Sequence, residues 1–191
     1  MSLRTMGNSV GRRELVWLGV TVIWLTVMAA HAAAPAASDP YATLHITRFA
    51  VGTPAVSFDL KGLDGSLASR DLAGKMVLLN FWATWCGPCK EEMPSLARLQ
   101  NRFDPSLVRV VTVTADHHPS GIKQFLNHLG ITLPVLFDDD QEVSRAFMVR
   151  GLPTTVLIGP DGHVVGRAVG PRAWDSEESV ALVRQILKGE P

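Results

Sequence analysis

Hydrophobic residues along the chain follow two alternating patterns, short runs rich in β-branched residues and longer stretches with helical spacing. The short runs predict strands at 76–82, 107–113, 133–137, 154–158 and 163–169. The first run is continuous rather than alternating, which predicts a strand buried on both faces at the centre of a sheet. Strands that alternate with helices predict an α/β domain whose sheet is covered by helices.

Helical patterns and turn residues fill the intervals between these strands. Helices are predicted at 86–102, 122–129, 141–147 and 176–187, and residues 55–69 are predicted to form a hairpin around the turn at 62–65. Gly159-Pro160-Asp161-Gly162 predicts a second hairpin turn. Three acids, at 138–140, precede the helix at 141, where negative charge stabilises a helix N-terminus. They lack the spacing of a calcium loop.

The first 34 residues have the pattern of an export signal. Arg4, Arg12 and Arg13 precede an uncharged apolar run at 15–30, and small residues at 30–34 offer A-x-A cleavage sites. We expect a signal peptide or, because the run extended through the alanines approaches the ~20 residues that span a bilayer, an N-terminal membrane anchor. The adjacent arginines also allow a twin-arginine address. A buried core helix is the remaining alternative.

Composition and charge restrict the classes of function. The 191 residues carry 18 Lys and Arg against 18 Asp and Glu, and 47% of them are hydrophobic, which is ordinary for a globular protein of one or at most two domains. A net charge of zero, with no block of five like charges, gives no electrostatic footprint for nucleic acid, which is not expected as a partner. Residues 35–48 are interpreted as a linker and 49–191 as the folded domain.

The only two cysteines, Cys86 and Cys89, lie where the strand at 76–82 gives way to a helix. At a helix N-terminus, unpaired backbone N–H groups and the helix dipole stabilise a thiolate and lower its pKa from the free value of about 8.5. Cys86 is therefore predicted to be the nucleophile, and Cys89 to resolve a mixed disulfide by attacking Cys86. Pro88 is compatible with the first helical turn because its missing N–H would be unpaired there.

Metal binding is the main alternative for this pair. Structural zinc would need two more ligands, and the chain has neither a second C-x-x-C nor suitably spaced histidines. Soft thiolates would also select Cu(I), so a copper metallochaperone that uses the cysteines with His117 or His118 is an alternative function. We interpret 116–118 instead as a polar loop that opens a helix near Pro119, and we expect no metal.

Residues 80–94, Asn-Phe-Trp-Ala-Thr-Trp-Cys-Gly-Pro-Cys-Lys-Glu-Glu-Met-Pro, resemble the active-site segment of the thioredoxin superfamily, in particular its exported TlpA/ResA branch of redoxin-like domains. The resemblance covers about residues 50–188. It implies a thioredoxin fold, which is a central mixed β-sheet flanked by helices, with an N-terminal β-hairpin extension and a central αβ insertion at 120–137.

The same resemblance assigns supporting residues around the cysteines. It implies a cis bond between Leu152 and Pro153 beside the pair, where the backbone of residue 152 can pair with a substrate chain. Gly87 and Pro88 form the dipeptide between the cysteines. Trp85 is expected to cover Cys86, whereas Trp82 is interpreted as packing.

Asn80 and Glu92 distinguish this sequence from cytosolic thioredoxins. Those proteins carry a buried Asp at the position of Asn80, where it accepts a proton from the resolving cysteine, and Asn80 cannot take a proton. In the TlpA/ResA branch Asn is usual there, and a Glu at the position of Glu92 lies close to the active site. The resemblance thus implies that Glu92 is an acid/base or pKa-tuning group. The alternative is a solvated first-turn carboxylate that stabilises the helix N-terminus.

These features predict an exported thiol-disulfide oxidoreductase whose redox-active Cys86–Cys89 disulfide needs no other cofactor. The resemblance implies a reductant of protein disulfides in the periplasm, supplied with electrons by a membrane dithiol donor, in cytochrome c maturation or copper-centre assembly. An oxidant that donates its own disulfide is the same chemistry reversed. A peroxidase is disfavoured because the peroxiredoxin pattern needs Ser or Thr where this chain has Ala83.

Overall fold

Strand β4 (Met76–Trp82) lies in the middle of the sheet and is buried along its whole length, as its continuous apolar run predicts. It pairs in parallel with β5 (Val108–Thr114) and antiparallel with β7 (Thr154–Ile158). The computed structural model describes residues 39–117 and 119–189. The predicted export segment, the start of the predicted linker and His118 lie outside these residues.

The described residues form one mixed sheet with helices on both faces. In chain order the elements are α1 (Pro40–Thr43), β1 (Thr47–Arg48), β2 (Asp59–Gly62), β3 (Gly65–Ala68), a 3₁₀ helix (Ser69–Leu72), β4, α2 (Gly87–Gln100), β5, α3 (Pro119–Leu129), β6 (Val135–Phe137), α4 (Glu142–Ala146), β7, β8 (Val164–Val169) and α5 (Glu177–Leu187). The strand order is β1-β8-β7-β4-β5-β6-β2-β3. Among the strands of the described residues, only the β4–β5 and β5–β6 pairs are parallel.

Alternate residues of β4 enter two separate apolar clusters, one on each face of the sheet. Met76, Leu78 and Trp82 pack with apolar residues of α2, α3 and α5. Val77, Leu79 and Phe81 pack on the other face with Phe58, Leu72, Val143 and Phe147. Period-two alternation of side chains explains how one strand serves both clusters. Asn80 is the single polar residue of the strand and faces the same side as Leu78 and Trp82.

The predicted linker at 35–48 is wrong in its described part. Tyr41, Leu44 and Ile46 are buried in the core, and β1 pairs antiparallel with β8 through Thr47 and Arg48. A Cβ on Gly166 of β8 would lie 2.8 Å from Cγ2 of Ile46, so glycine permits this close approach. The folded domain therefore begins before residue 49, because three apolar residues in a short polar stretch suffice to dock it on the sheet.

The hairpin and the central insertion are present with shifted bounds. Strands β2 and β3 pair around a turn at 62–65, but β2 begins at Asp59 rather than at residue 55. Helix α3 begins at Pro119, three residues before its predicted start, and β6 pairs with both β5 and β2. Across the described ranges, no helix is both long and apolar enough to cross a membrane.

Candidate active site

The two cysteines are joined by a disulfide at the point where β4 leads into α2. Cys86 is the N-cap of α2, with an extended backbone, and its Sγ accepts the backbone N–H of Cys89 at 3.3 Å. Gly87 and Pro88 occupy the first helical positions and are exposed. Cys86 is 7% exposed and Cys89 only 1%. Cys86 is therefore the more accessible of the two residues, at a helix end that favours negative charge.

The two tryptophans beside the cysteines have different environments. Trp82 is fully buried and its ring lies 5.5 Å from that of Phe125, which confirms its predicted packing role. Trp85 is 70% exposed. It therefore presents a large apolar surface to solvent next to Cys86 in the chain, and its covering of Cys86 stays a prediction.

Glu92 lies inside the protein, three residues after Cys89 on α2. Its side chain is 3% exposed, so the interpretation as a solvated first-turn carboxylate is wrong. Oε1 accepts hydrogen bonds from the Trp174 indole Nε1–H and, at 3.3 Å, from the Arg172 backbone N–H. Burial raises the pKa of Glu92 from 4.5 to about 7, against the opposing effect of the hydrogen bonds from Trp174 and Arg172. This carboxyl can thus exchange a proton near neutral pH.

Two buried acceptor atoms in this region have no hydrogen-bond partner among the described residues. They are Oε2 of Glu92 and Oδ1 of Asn80. The Asn80 Nδ2 group donates instead to Thr155 Oγ1 at 2.9 Å. A buried acceptor without a donor is unfavourable, and a proton on Glu92 would supply one. Both atoms are therefore consistent with a carboxyl that holds its proton more tightly than an exposed glutamate.

The loop after β8 holds the Glu92 partners in place. The Arg172 guanidinium donates to the carbonyl oxygens of Leu44, His45, Val169, Gly170 and Pro171. Ser95 Oγ accepts the Trp174 backbone N–H at 3.1 Å and lies 2.8 Å from the Glu92 carbonyl oxygen. Sequence reasoning missed Arg172, Trp174 and Ser95 as parts of the site. No local pattern marks them, because Trp174 stands 82 residues from Glu92.

Asp116 forms hydrogen bonds that stabilise the loop leading to the cysteines. Its carboxylate accepts the Thr84 backbone N–H at 2.7 Å and the Thr84 hydroxyl at 2.9 Å, and Thr114 Oγ1 lies 3.0 Å away. The sequence singled out Asp116 only as part of a polar loop. The structure places it against the residue two positions before Cys86, where it restrains the backbone that leads to the nucleophile.

His117, the metal candidate in that loop, is directed toward an acid rather than grouped with other ligands. Its Nδ1 lies 3.4 Å from Oδ1 of exposed Asp139. In the ranges 39–117 and 119–189, no three His, Cys, Asp or Glu side chains are grouped so as to hold a metal ion. The copper alternative thus gains no ligand set from these residues.

The segment before β7 lies at the same end of the sheet as the cysteine loop. Thr154 pairs with Phe81, one residue before the end of β4, and the Leu152–Pro153 bond is cis, as the resemblance implies. The Pro153 carbonyl accepts the Gly170 N–H at 2.9 Å. Leu152 packs against the apolar cluster that contains both cysteines. The structure therefore brings 152–153 to the edge of the sheet from which Cys86 projects.

Fold and site together define a thioredoxin-fold thiol-disulfide oxidoreductase, with a C-x-x-C disulfide at the start of the helix that follows a central strand. The chain belongs to the AhpC/TSA family, which it matches over residues 51–167.

Named relatives have the same chemistry. The chain is 39% identical over 120 residues to the thiol-disulfide oxidoreductase ResA of Bacillus subtilis (strain 168), covering 62% of this chain and 67% of that protein. It is 36% identical over 129 residues to ResA of Bacillus anthracis, covering 67% and 75%. A thiol:disulfide interchange protein of the thioredoxin family from Chlorobium tepidum TLS superposes with a TM-score of 0.63 at 32% identity, covering 73% and 99%. These likenesses confirm the predicted fold and family.

Proposed function

We propose that this protein is an exported reductant of protein disulfides. The observation that carries the proposal is the unequal exposure of the two disulfide-bonded cysteines at the start of α2, which is 7% for Cys86 and 1% for Cys89. A protein substrate can reach only the outer sulfur, so the inner one is left to resolve the mixed disulfide.

The reaction proceeds in two exchanges. The Cys86 thiolate attacks one sulfur of a substrate disulfide, forming a mixed disulfide and releasing the other substrate sulfur as a thiolate. The Cys89 thiolate then attacks Cys86 Sγ, closes the Cys86–Cys89 disulfide and releases the second substrate sulfur. Two electrons pass to the substrate, and a membrane dithiol donor restores the reduced pair.

Glu92 is the proton acceptor that the second exchange requires. The Cys89 thiol must lose its proton before it attacks, and in the described structure it is enclosed by the protein. Cys89 and Glu92 are three positions apart on one helix, a spacing that places side chains on the same face. A carboxyl whose pKa is raised to about 7 accepts that proton better than an ordinary glutamate would.

Exposed groups around Cys86 position the substrate chain. Trp85 offers an apolar face beside the nucleophile, and Gly87 and Pro88 leave the approach to Cys86 free of large side chains. The backbone of Leu152, before Pro153, pairs with the substrate segment that carries the target cysteine, as the family resemblance implies. Such contacts orient the disulfide for in-line attack.

Export and pathway follow from the N-terminal pattern and the relatives. The basic, apolar and small-residue regions of 1–34 favour a periplasmic or otherwise exported location, with the segment either cleaved or kept as an anchor. The resemblance to the TlpA/ResA branch implies a task such as cytochrome c maturation or copper-centre assembly. The Cys-Gly-Pro-Cys sequence favours a potential near that of thioredoxin, about −270 mV, over the about −120 mV of DsbA.

Trapping of mixed disulfides tests the proposal. The full-length Cys89→Ala variant, produced in cells, should accumulate protein partners linked through Cys86, because the second exchange is blocked. A Cys86→Ala variant is the matched control and should accumulate none. If neither variant accumulates a linked partner, the proposal is refuted. A redox titration of the wild-type protein that places the pair near −120 mV would instead favour the oxidant.

A further inference from the structure

A shallow pocket of about 370 Å³ lies between the end of β8 and the segment that precedes β7. Its lining consists of Met148, Arg150, Gly151, Arg167 and Val169. Met148 is 54% exposed and Val169 61%, which places both among the few large apolar side chains that the described residues present to solvent. Adjacent exposed apolar residues on an otherwise polar surface are typical of interaction sites.

The pocket adjoins the edge of the sheet from which Cys86 projects. Gly151 immediately precedes Leu152, and Val169 pairs with Thr154, the residue that follows Pro153. The end of β4, the start of β7 and the end of β8 therefore meet at one end of the sheet. Arg167 contacts Phe147 on the face of the sheet opposite to the cluster that contains the cysteines, so a chain that pairs with the backbone of residue 152 would reach the pocket by continuing around this end of the sheet.

Met148, which lines the pocket, has a backbone conformation that is unfavourable for a side chain of its size. Met148 has φ +53°, the left-handed conformation, and it follows Phe147, the C-cap of α4. Helices commonly end on such a residue, but glycine or asparagine is the ordinary choice because a larger side chain is strained there. Buried contacts do not offset this strain, since the Met148 side chain is largely exposed. Strained residues with exposed side chains are found at binding sites.

The charged side chains that line the pocket are all positive. Arg150 and Arg167 line it, and no acid does. The Arg167 guanidinium lies over the Phe49 ring, 5.3 Å from its centroid, and is 3.4 Å from the Phe147 carbonyl oxygen. Neither arginine forms an ion pair within the described ranges. The pocket thus presents positive charge without a counter-charge beside an adaptable thioether.

We propose that this pocket binds the part of a substrate protein next to its reactive cysteine and selects an apolar residue with an acidic neighbour. The apolar side chain contacts Met148 and Val169, and the carboxylate pairs with Arg150 and Arg167. This assignment rests on the proposed function, because it names the substrate class of the same site.

Two disulfide-bonded peptides that differ only beside one cysteine, Leu-Glu in one and Leu-Lys in the other, provide the test. The reduced full-length protein should reduce the Leu-Glu peptide about two- to fivefold faster at low salt, the range for exposed charge pairs. Arg150→Glu should abolish or reverse this preference. Met148→Asn keeps a residue that tolerates the left-handed backbone and should slow both peptides. The preference should also diminish in 1 M salt.

Lys61→Glu is the matched control. Lys61 is an exposed residue of β2, on the far side of the sheet order from β8, and its substitution makes the same reversal of charge. It should leave the preference intact. Equal rates for the two peptides in the wild type, or a preference that survives Arg150→Glu, would overturn the pocket assignment alone. Failure to reduce either peptide would overturn the proposed function, and this inference with it.

Discussion

The indole Nε1–H of Trp174 donates a hydrogen bond to Oε1 of Glu92, although 82 residues of chain separate the two. Both side chains are buried. The bond connects the helix that carries the cysteines to the loop that follows β8. The proton affinity of the carboxyl therefore depends on a loop outside the C-x-x-C segment, as well as on the neighbours of Glu92 within its own helix.

The raised pKa of Glu92 makes the stability of the oxidised protein depend on pH. The unfolded chain loses this proton near pH 4.5, whereas the folded protein keeps it until about pH 7. Between these values the folded state binds more protons, so the free energy of unfolding falls as pH rises. The full decrease is on the order of 3 kcal/mol for a shift of this size.

Glu92→Gln should remove that decrease. Denaturant unfolding of the oxidised variant at pH 4.5 and pH 8 should show a difference between the two pH values that is smaller than in the wild type by a few kcal/mol. Glu91→Gln, a change at the exposed neighbouring residue, controls for loss of one carboxylate and should keep the wild-type slope. An unchanged slope in Glu92→Gln would contradict the pKa assigned to this carboxyl.

Trp174→Phe should raise the pKa of Glu92 further, because it deletes a donor that favours the ionised carboxylate. Loss of one such bond corresponds to about one pH unit. The side-chain carboxyl carbon resonance of Glu92 reports the midpoint directly by NMR titration. Trp85→Phe alters an exposed indole instead and should not move it. A midpoint that stays or falls in Trp174→Phe would show that the indole does not stabilise the charged form.

Local patterns were sufficient to predict the centre of the fold and the cysteine pair. The strand at Met76–Trp82 has the predicted bounds because burial on both faces leaves a continuous apolar run, and the helix start follows from Gly87 and Pro88. Residues 40–48 were mistaken for linker because three apolar residues are too few to produce a period.

The surroundings of Glu92 could not be predicted in the same way. Its hydrogen-bond partners Arg172 and Trp174 are 80 and 82 positions away, and the order of strands in the sheet brings them to it. Tertiary contacts of this kind produce no regular spacing of residues that could be recognised in the sequence. The family resemblance indicated that Glu92 is important but not which groups set its proton affinity.

Asp138 caps α4, which confirms that the acids at 138–140 serve a helix N-terminus. Its carboxylate accepts the backbone N–H groups of Val143 and Ser144, at 3.1 and 2.7 Å, and the Ser144 hydroxyl at 2.6 Å. Asp138→Ala should lower the free energy of unfolding by about 2 kcal/mol, at the upper end for a lost cap, because the residue is buried. Asp139→Ala removes an exposed neighbour and should change it by less than about 0.5 kcal/mol. Equal effects of the two substitutions in chemical denaturation would argue against the cap.

Asp116 positions the cysteine loop through its two hydrogen bonds from Thr84. Asp116→Ala leaves the Thr84 N–H without its acceptor, so the free energy of unfolding should fall by about 2 kcal/mol, the range for a hydrogen bond to a charged group. A looser loop also holds Cys86 less well for attack, so the reduced variant should reduce a protein disulfide several-fold more slowly at a protein concentration where it is fully folded. Asp116→Asn retains one acceptor oxygen and should recover part of the rate. If Asp116→Ala is less stable but reduces the substrate at the wild-type rate, the carboxylate supports the fold and does not position the nucleophile.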